Sequence, residues 1–199
     1  MRVKLNRGGR YTQAVVKAFG DSLLSIERMQ NAISQFLLTL IPHESRYDSV
    51  MNKEQTFSPQ EQRGYALFRR HCNSCHTEPL FSDFSFERNG LDPDPLMRDN
   101  GRMSITNSPA DRLRFKVPSL RNLSYSPPYM HDGRFRSLRQ VLNHYTRVSG
   151  SEDLREGRLG KPIVLTEPEQ TDLLAFLLTL DDRKFIFDPQ HGYPIESYR

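Results

Sequence analysis

The residues with the clearest chemistry in this chain are the run His71, Cys72, Asn73, Ser74, Cys75 and His76, and its two cysteines are the only ones present. The thiols stand one helical turn apart, and a histidine follows the second directly. This C-x-x-C-H spacing is the arrangement used for c-type haem attachment. Each thiol can form a thioether to one vinyl edge of a porphyrin. His76 then lies under the iron and supplies an axial nitrogen. Three other readings use the same residues. A tetrahedral zinc site would take His71, Cys72, Cys75 and His76, but such sites draw their ligands as two separated pairs. No second Cys/His pair exists in the sequence. A thioredoxin-like redox pair needs a preceding strand in a βαβ setting, which the periodicity does not provide. Two inert thiols beside a chance histidine are the plainest alternative.

The elements that must position this motif are mainly helical. Ser58-Pro59-Gln60-Glu61 is a capping box with proline at the first helical position, so a helix should carry Gly64, Tyr65 and Phe68 into the motif. Residues 11–19 read as a short helix closed by Gly20. Residues 25–41 follow the 3.6 period through Ile26, Met29, Ile33, Phe36, Leu37 and Leu40 until Pro42 stops them. Residues 43–57 read as a polar connector. After the motif, roughly sixty residues (77–136) carry no sustained periodicity, a length that an ordinary domain leaves unstructured only when something organises it. Helical periodicity returns at 137–148, with Leu138, Val141, Leu142, Tyr145 and Val148 on one face. A last helix opens on the Thr166-Glu167-Pro168-Glu169 capping box and ends at Asp181-Asp182. The fold class expected is mainly α, a cytochrome c-like haem domain with long haem-wrapping loops.

Composition agrees with a lean core that a large apolar cofactor would complete. The chain has 199 residues, 28 basic and 24 acidic, a net charge of +4, and only 36% hydrophobic residues. Its mean hydropathy is −0.66. No apolar run approaches the ~18–20 residues of a membrane span, and the start, MRVKLNRGGR, has no apolar stretch behind its basic residues to make a signal peptide. Seven basic residues against the single acid Asp132 lie between Arg112 and Arg139. That stripe is read as a solvated face with arginines for carboxylates, and no nucleic acid is expected.

Taken together, several segments resemble one family in order and spacing. They are Gly64-Tyr65-Ala66-Leu67-Phe68 with the C-x-x-C-H, then Phe115-Lys116-Val117-Pro118-Ser119-Leu120-Arg121-Asn122, then Pro128-Tyr129-Met130-His131-Asp132-Gly133-Arg134-Phe135 and Ser137-Leu138. The family is that of the bacterial di-haem cytochrome c peroxidases, including the MauG-type enzymes. By this resemblance residues 51–199 correspond to its C-terminal haem domain. Residues 1–50, with Ala18-Phe19-Gly20-Asp21, correspond to a remnant of the N-terminal haem domain. The family has two C-x-x-C-H motifs and this chain has one. The other half of relatives holds the peroxide-reacting haem, its acid–base carboxylate and a tryptophan between the haems; this chain has no Trp. Catalytic residues are therefore expected in that half. The chain reads as a fragment, a split-gene product, or a descendant without the catalytic half.

The resemblance implies one covalent haem c and a periplasmic location, since such haem is attached outside the cytoplasm. It implies an electron-transfer half of an oxidoreductase acting in hydrogen peroxide reduction. The N-terminal haem domain or a partner chain would react with peroxide, and a small electron-donor protein would feed it. The alternative is a free-standing mono-haem cytochrome c electron carrier. Candidates for the sixth iron ligand are Met97, Met103, Met130, His131, His144 and Tyr145. Tyr145 stands eight residues after Ser137, where classical peroxidase relatives have Met and MauG-type members have a ligating Tyr; a core tyrosine is the alternative. Met130 is expected to pack, and His144 to be exposed or bonded to backbone. His131 is expected either to bond a propionate or backbone or to couple the haems. Arg121 and Arg134 are expected propionate partners or surface ion pairs. The family's interdomain calcium would here take backbone carbonyls of Ser126 and Pro128.

Overall fold

Local capping chemistry sets most of the helix starts. The computed structural model describes residues 9, 11–147, 159 and 163–192. They fall into two compact units, one formed by residues up to Pro42 and from Phe187 on, the other by His43–Ile186. The first contains α1, Thr12–Phe19, closed by Gly20 at φ 84°, and α2, Ile26–Thr39, where the Ser25 side chain accepts from the Arg28 N–H. The apolar stripe of α2 follows the expected 3.6 period, but none of the helix is buried. Ile26, Ile33, Phe36 and Leu37 are each more than half exposed. Periodicity identifies a face that needs covering and says nothing of what covers it.

In the second unit, the polar connector expected over residues 43–57 contains a helix, α3, Arg46–Met51, opened by a Ser45/Asp48 capping box. The box was present in the sequence, and the six-residue helix it starts is too short for periodicity to register. Its Tyr47 is buried in the core, so this segment belongs with the haem-motif unit. Then come α4, Pro59–His71; a two-residue antiparallel pair of β1, Phe86–Glu87, and β2, Phe115–Lys116; and α5, Met103–Thr106. Finally come α6, Leu138–Arg147, α7, Glu167–Leu178, and α8, Arg183–Ile186. Position 148, expected to continue α6, lies outside the described residues. The capping boxes at Ser58 and Thr166 form as expected, with proline in the first turn of both α4 and α7.

Helix α4 packs along α7 at Gly64, and Phe68, Phe81, Leu173, Phe176 and Leu180 fill the space between the surrounding elements. The rings meet edge-on or tilted: Tyr47 and Phe81 at 4.8 Å, Phe68 and Phe176 at 5.1 Å. Such pairs add to what burial alone contributes. The irregular 77–136 stretch is tied to this core through polar side chains. Asn122 accepts from the Asp182 N–H at 2.7 Å, and its own N–H donates to Leu180 O. Buried Asp182 accepts from the His43 and Glu44 N–H groups, both at 2.9 Å, and from Phe185 N–H at 3.0 Å. Asp182→Asn would turn one of these acceptors into a donor. It is expected to cost about 1–3 kcal/mol, the cost of leaving buried donors unsatisfied, which a denaturant titration would register as a lower midpoint at unchanged slope.

Candidate haem site

The C-terminal end of α4 delivers the motif. Cys72 closes the helix, its N–H donating to Phe68 O, and the following turn is held by the Cys75 and His76 N–H groups on Cys72 O. Both cysteines are free thiols. Together with His76 they line a cavity of about 450 Å³, inside the ~300–1,000 Å³ range of cofactor sites. Apolar walls come from Val117, Leu120 and Leu123, from Leu142 of α6, and from Leu173 and Leu177 of α7. The unstructured length after the motif thus has an organising centre.

The imidazole of His76 is oriented from behind. Its Nδ1 lies 3.1 Å from both Phe81 O and Pro118 O. Carbonyls only accept, so Nδ1 carries the proton and Nε2 keeps a lone pair, the arrangement of a metal-ligating histidine with its backbone support. Phe81 adopts φ 54°, costly for a bulky residue; its ring enters the core while its carbonyl meets His76. Burial lowers the His76 pKa, opposed by the bonds to Phe81 and Pro118, which favours the neutral, ligating form. Burial pushes the Cys72 thiol up to about 12, and neighbouring Cys75 adds to this. A reactive redox pair instead has a depressed thiol. Among the described residues no three His, Cys, Asp or Glu side chains come together to hold a metal ion, so the four zinc candidates do not form a closed site.

Tyr145 lines the same cavity. Burial pushes its phenol up to about 12, and ionised Cys72 and Cys75 would push it further in the same direction. Met130 also lines the cavity, its Sδ 3.9 Å from Asn89 Nδ2. His144 has Nε2 2.8 Å from Asn89 O, tied to backbone as expected. Met97 and Met103 are not among the lining residues, and Met97 is exposed.

The other expected site residues divide. His131 lines the cavity and stacks on Phe115 at 3.7 Å and 13°. Ser126 and Pro128 line it too, and the Ser126 hydroxyl donates to Leu123 O. Arg121 and Arg134, expected as propionate partners or in ion pairs, both make ion pairs. Arg121 makes a bidentate pair with Asp48 at 2.8 and 2.7 Å and donates from Nε to Pro79 O. Arg134 pairs with Asp132 and donates to Asp92 O. The basic side chains that do line the cavity are Arg88 and Lys116 with His71 and His131. The missed pair, Arg88 and Lys116, reaches the cavity because β1 and β2 pair across a loop of nearly thirty residues, a register no local pattern announces.

A mainly α chain that wraps an apolar cavity around a C-x-x-C-H histidine defines a cytochrome c-like haem domain, and the donor set present fits haem c: two thiols, a backbone-oriented imidazole and a phenol. Comparison with known proteins agrees. The model of the di-haem cytochrome c peroxidase family matches residues 1–56. Methylamine utilization protein MauG of Methylophilus methylotrophus is 35% identical over 188 residues, covering 89% of this chain and 54% of that protein. Cytochrome c551 peroxidase of Nitrosomonas europaea is 31% identical over 176 residues, covering 86% and 49%. The crystal structure of a MauG-like protein associated with microbial copper homeostasis superposes with a TM-score of 0.79 at 29% identity, covering 97% of this chain and 65% of that one. The chain belongs to the di-haem cytochrome c peroxidase and MauG family of oxidoreductases. It spans about half the length of the curated relatives it matches. Among the described residues no helix is long and apolar enough to cross a membrane.

Proposed function

We propose that this chain is the electron-transfer half of a di-haem peroxidase or MauG-like oxidoreductase, carrying one covalent haem c. The observation that supports it most is the single cavity shared by Cys72, Cys75, His76 and Tyr145. Cys72 and Cys75 would hold the haem by thioethers, and His76 Nε2 and the Tyr145 oxygen would bind its iron. Arg88 and Lys116, rather than Arg121 and Arg134, would face the propionates. When bound, the haem supplies one-electron redox chemistry. The chain's own residues fix its orientation, keep His76 neutral and exclude water with the leucines of α6 and α7.

Hydrogen peroxide would react at a haem of the other half, outside residues 1–199, and a small electron-donor protein would supply the electrons. The exposed apolar face of α2 is a surface such a half would cover: the family match runs through it, and half of each relative's length is unaccounted for by this chain. His131, stacked on Phe115 at the cavity wall, would bond a propionate or couple the two haems. A periplasmic location follows from covalent haem attachment. A calcium on the Ser126 and Pro128 carbonyls would need further ligands from the other half.

Tyr145→Phe tests the reading. It keeps the ring and removes only the oxygen, so the ferric spectrum is expected to move to a five-coordinate or water-bound high-spin form. Tyr145→Met is expected to raise the reduction potential, since thioether sulfur favours the ferrous state relative to anionic oxygen. An unchanged ferric spectrum and potential in Tyr145→Phe would make Tyr145 a packing residue and leave Met130, the methionine that lines the cavity, as the ligand.

A further inference from the structure

The two carbonyls behind His76 belong to separate stretches of chain, 80–82 and 117–119, and each stretch sends a serine across to the other. The Ser82 hydroxyl donates to Val117 O at 2.7 Å. The Ser119 hydroxyl donates to Leu80 O, also at 2.7 Å. Phe81 O and Pro118 O, the acceptors for His76 Nδ1, lie between these four residues. The two serine bonds therefore bracket the carbonyl pair and run in opposite directions across it.

Backbone pairing cannot do this job here. β1 and β2 pair at Phe86–Lys116 and Glu87–Phe115, and one further bond joins Val117 N–H to Ser85 O at 2.8 Å. Phe84 then leaves the extended conformation at φ 58°. Beyond it, among the described residues, no backbone bond joins the two stretches. Pro118 has no N–H to give, and the Phe81 and Pro118 carbonyls are turned to His76. The serine hydroxyls supply the cross-links that the ladder lacks. Ser82 is buried, and its oxygen also accepts from Phe84 N–H at 3.0 Å. Its N–H donates to Thr77 O and the Asp83 N–H to Cys75 O, so the same turn is fastened to the haem motif. Ser119 is exposed, accepts from Arg121 N–H at 3.2 Å and lines the cavity. Ser82 is not among the lining residues.

We propose that Ser82, assisted by Ser119, is a positioning residue that sets the reduction potential of the haem site by holding both carbonyls on the His76 N–H. The inference rests on His76 as an iron ligand. One proton shared between two acceptors, each 3.1 Å from Nδ1, requires both stretches to stay in place. Two acceptors pull that proton from the ring and leave more electron density at Nε2, raising the basicity of the ligand. A more basic ligand favours ferric over ferrous iron, hydrogen bonding around the ligands being one of the levers on haem potential. Without the Ser82 bond the stretches part, one carbonyl retreats, and the potential rises.

The haem-loaded full chain and its variants would be titrated by spectroelectrochemistry. Ser82→Ala is expected to shift the balance toward ferrous iron on the order of tenfold, the lower end of what support of a ligating histidine contributes, or ~59 mV upward for a one-electron couple. Ser82→Thr keeps the hydroxyl and should restore the wild-type potential. Ser119→Ala should shift it in the same direction by less. Ser58→Ala removes the cap of α4, which lowers stability far from His76, and should leave the potential unchanged. Exchange of the His76 Nδ1 proton, followed by NMR in the reduced, carbon monoxide-bound chain, should be faster in Ser82→Ala and not in Ser58→Ala. A wild-type potential in Ser82→Ala overturns the proposal, as does a rise that Ser82→Thr or Ser58→Ala shares in full. Should Ser82→Ala fail to fold, an unshifted potential in Ser119→Ala overturns it equally. A wild-type chain that takes up no covalent haem would overturn the haem reading and this proposal together, whereas a loaded chain whose potential ignores Ser82 overturns this proposal alone.

Discussion

Cys72→Ala combined with Cys75→Ala, purified free of haem, is expected to give a chain without cooperative unfolding. The haem site is a cavity of about 450 Å³. Without haem its apolar wall is left facing water, at ~25 cal/mol per Å² of apolar surface, against a total stability of about 5–15 kcal/mol for a typical domain. Much of the cavity wall belongs to loops between α4 and α6 rather than to helices, so little else holds it open. A covalently held ligand that binds only the folded state stabilises it by mass action without being able to leave. Thermal unfolding followed by circular dichroism and amide NMR dispersion checks this. Broad, uncooperative melting is the expected outcome; dispersed signals and a sharp transition in the haem-free double variant would show that protein packing alone carries the fold.

Gly64→Ala is expected to be destabilising by about 3 kcal/mol, where in an exposed helix the same change would stabilise by ~0.5–1 kcal/mol. The reversal comes from the α4–α7 contact. A Cβ at position 64 would stand 2.0 Å from Asp172 O, 2.7 Å from Asp172 C and 2.8 Å from Phe176 Cβ. The first two are backbone, so no side-chain rotation relieves the clash and the helices must separate. Overpacking of this kind costs ~1–3 kcal/mol and sometimes more. Separation would also disturb the Arg63–Asp172 ion pair beside the contact and move Leu173 and Leu177 at the cavity wall. For a chain of this size the melting temperature should fall by roughly 6–12 °C. A melting temperature equal to or above that of the wild type would mean that α4 and α7 do not pack this closely.

The helix starts were legible because capping is local. Ser58 with Glu61, and Thr166 with Glu169, bond across three residues, and the sequence displays both partners at once. The same logic applied to Ser45 and Asp48 would have found α3. Chain-wide polarity hid it, because a helix of six residues buries only Tyr47. Arg121 and Arg134 show the opposite case. Their residue type suits carboxylates, but Asp48 lies 73 residues from Arg121, and nothing in the spacing decides between that carboxylate and a propionate. Arg88 and Lys116 reach the cavity through a strand pairing of two residues on each side, far below what alternation can reveal.

What the sequence by itself determined is the covalent and local part of the chemistry. Two thiols and an imidazole at C-x-x-C-H spacing form their haem-attaching arrangement within one turn of chain, whatever the rest does. The 3.6 period of α6 likewise puts Leu142 and Tyr145 on one face. What only the tertiary structure decided is which groups meet across distance. Phe81 and Pro118 turn His76 Nδ1 inward because two loops converge behind it. Tyr145 shares the cavity with the thiols because α6 closes over it. The Tyr65 hydroxyl reaches Glu78, 13 residues on, because the chain turns back along α4 after the motif. Spacing along a chain specifies neighbours within a turn or two; partners tens of residues apart are chosen by the packing of apolar surface, which no single segment contains.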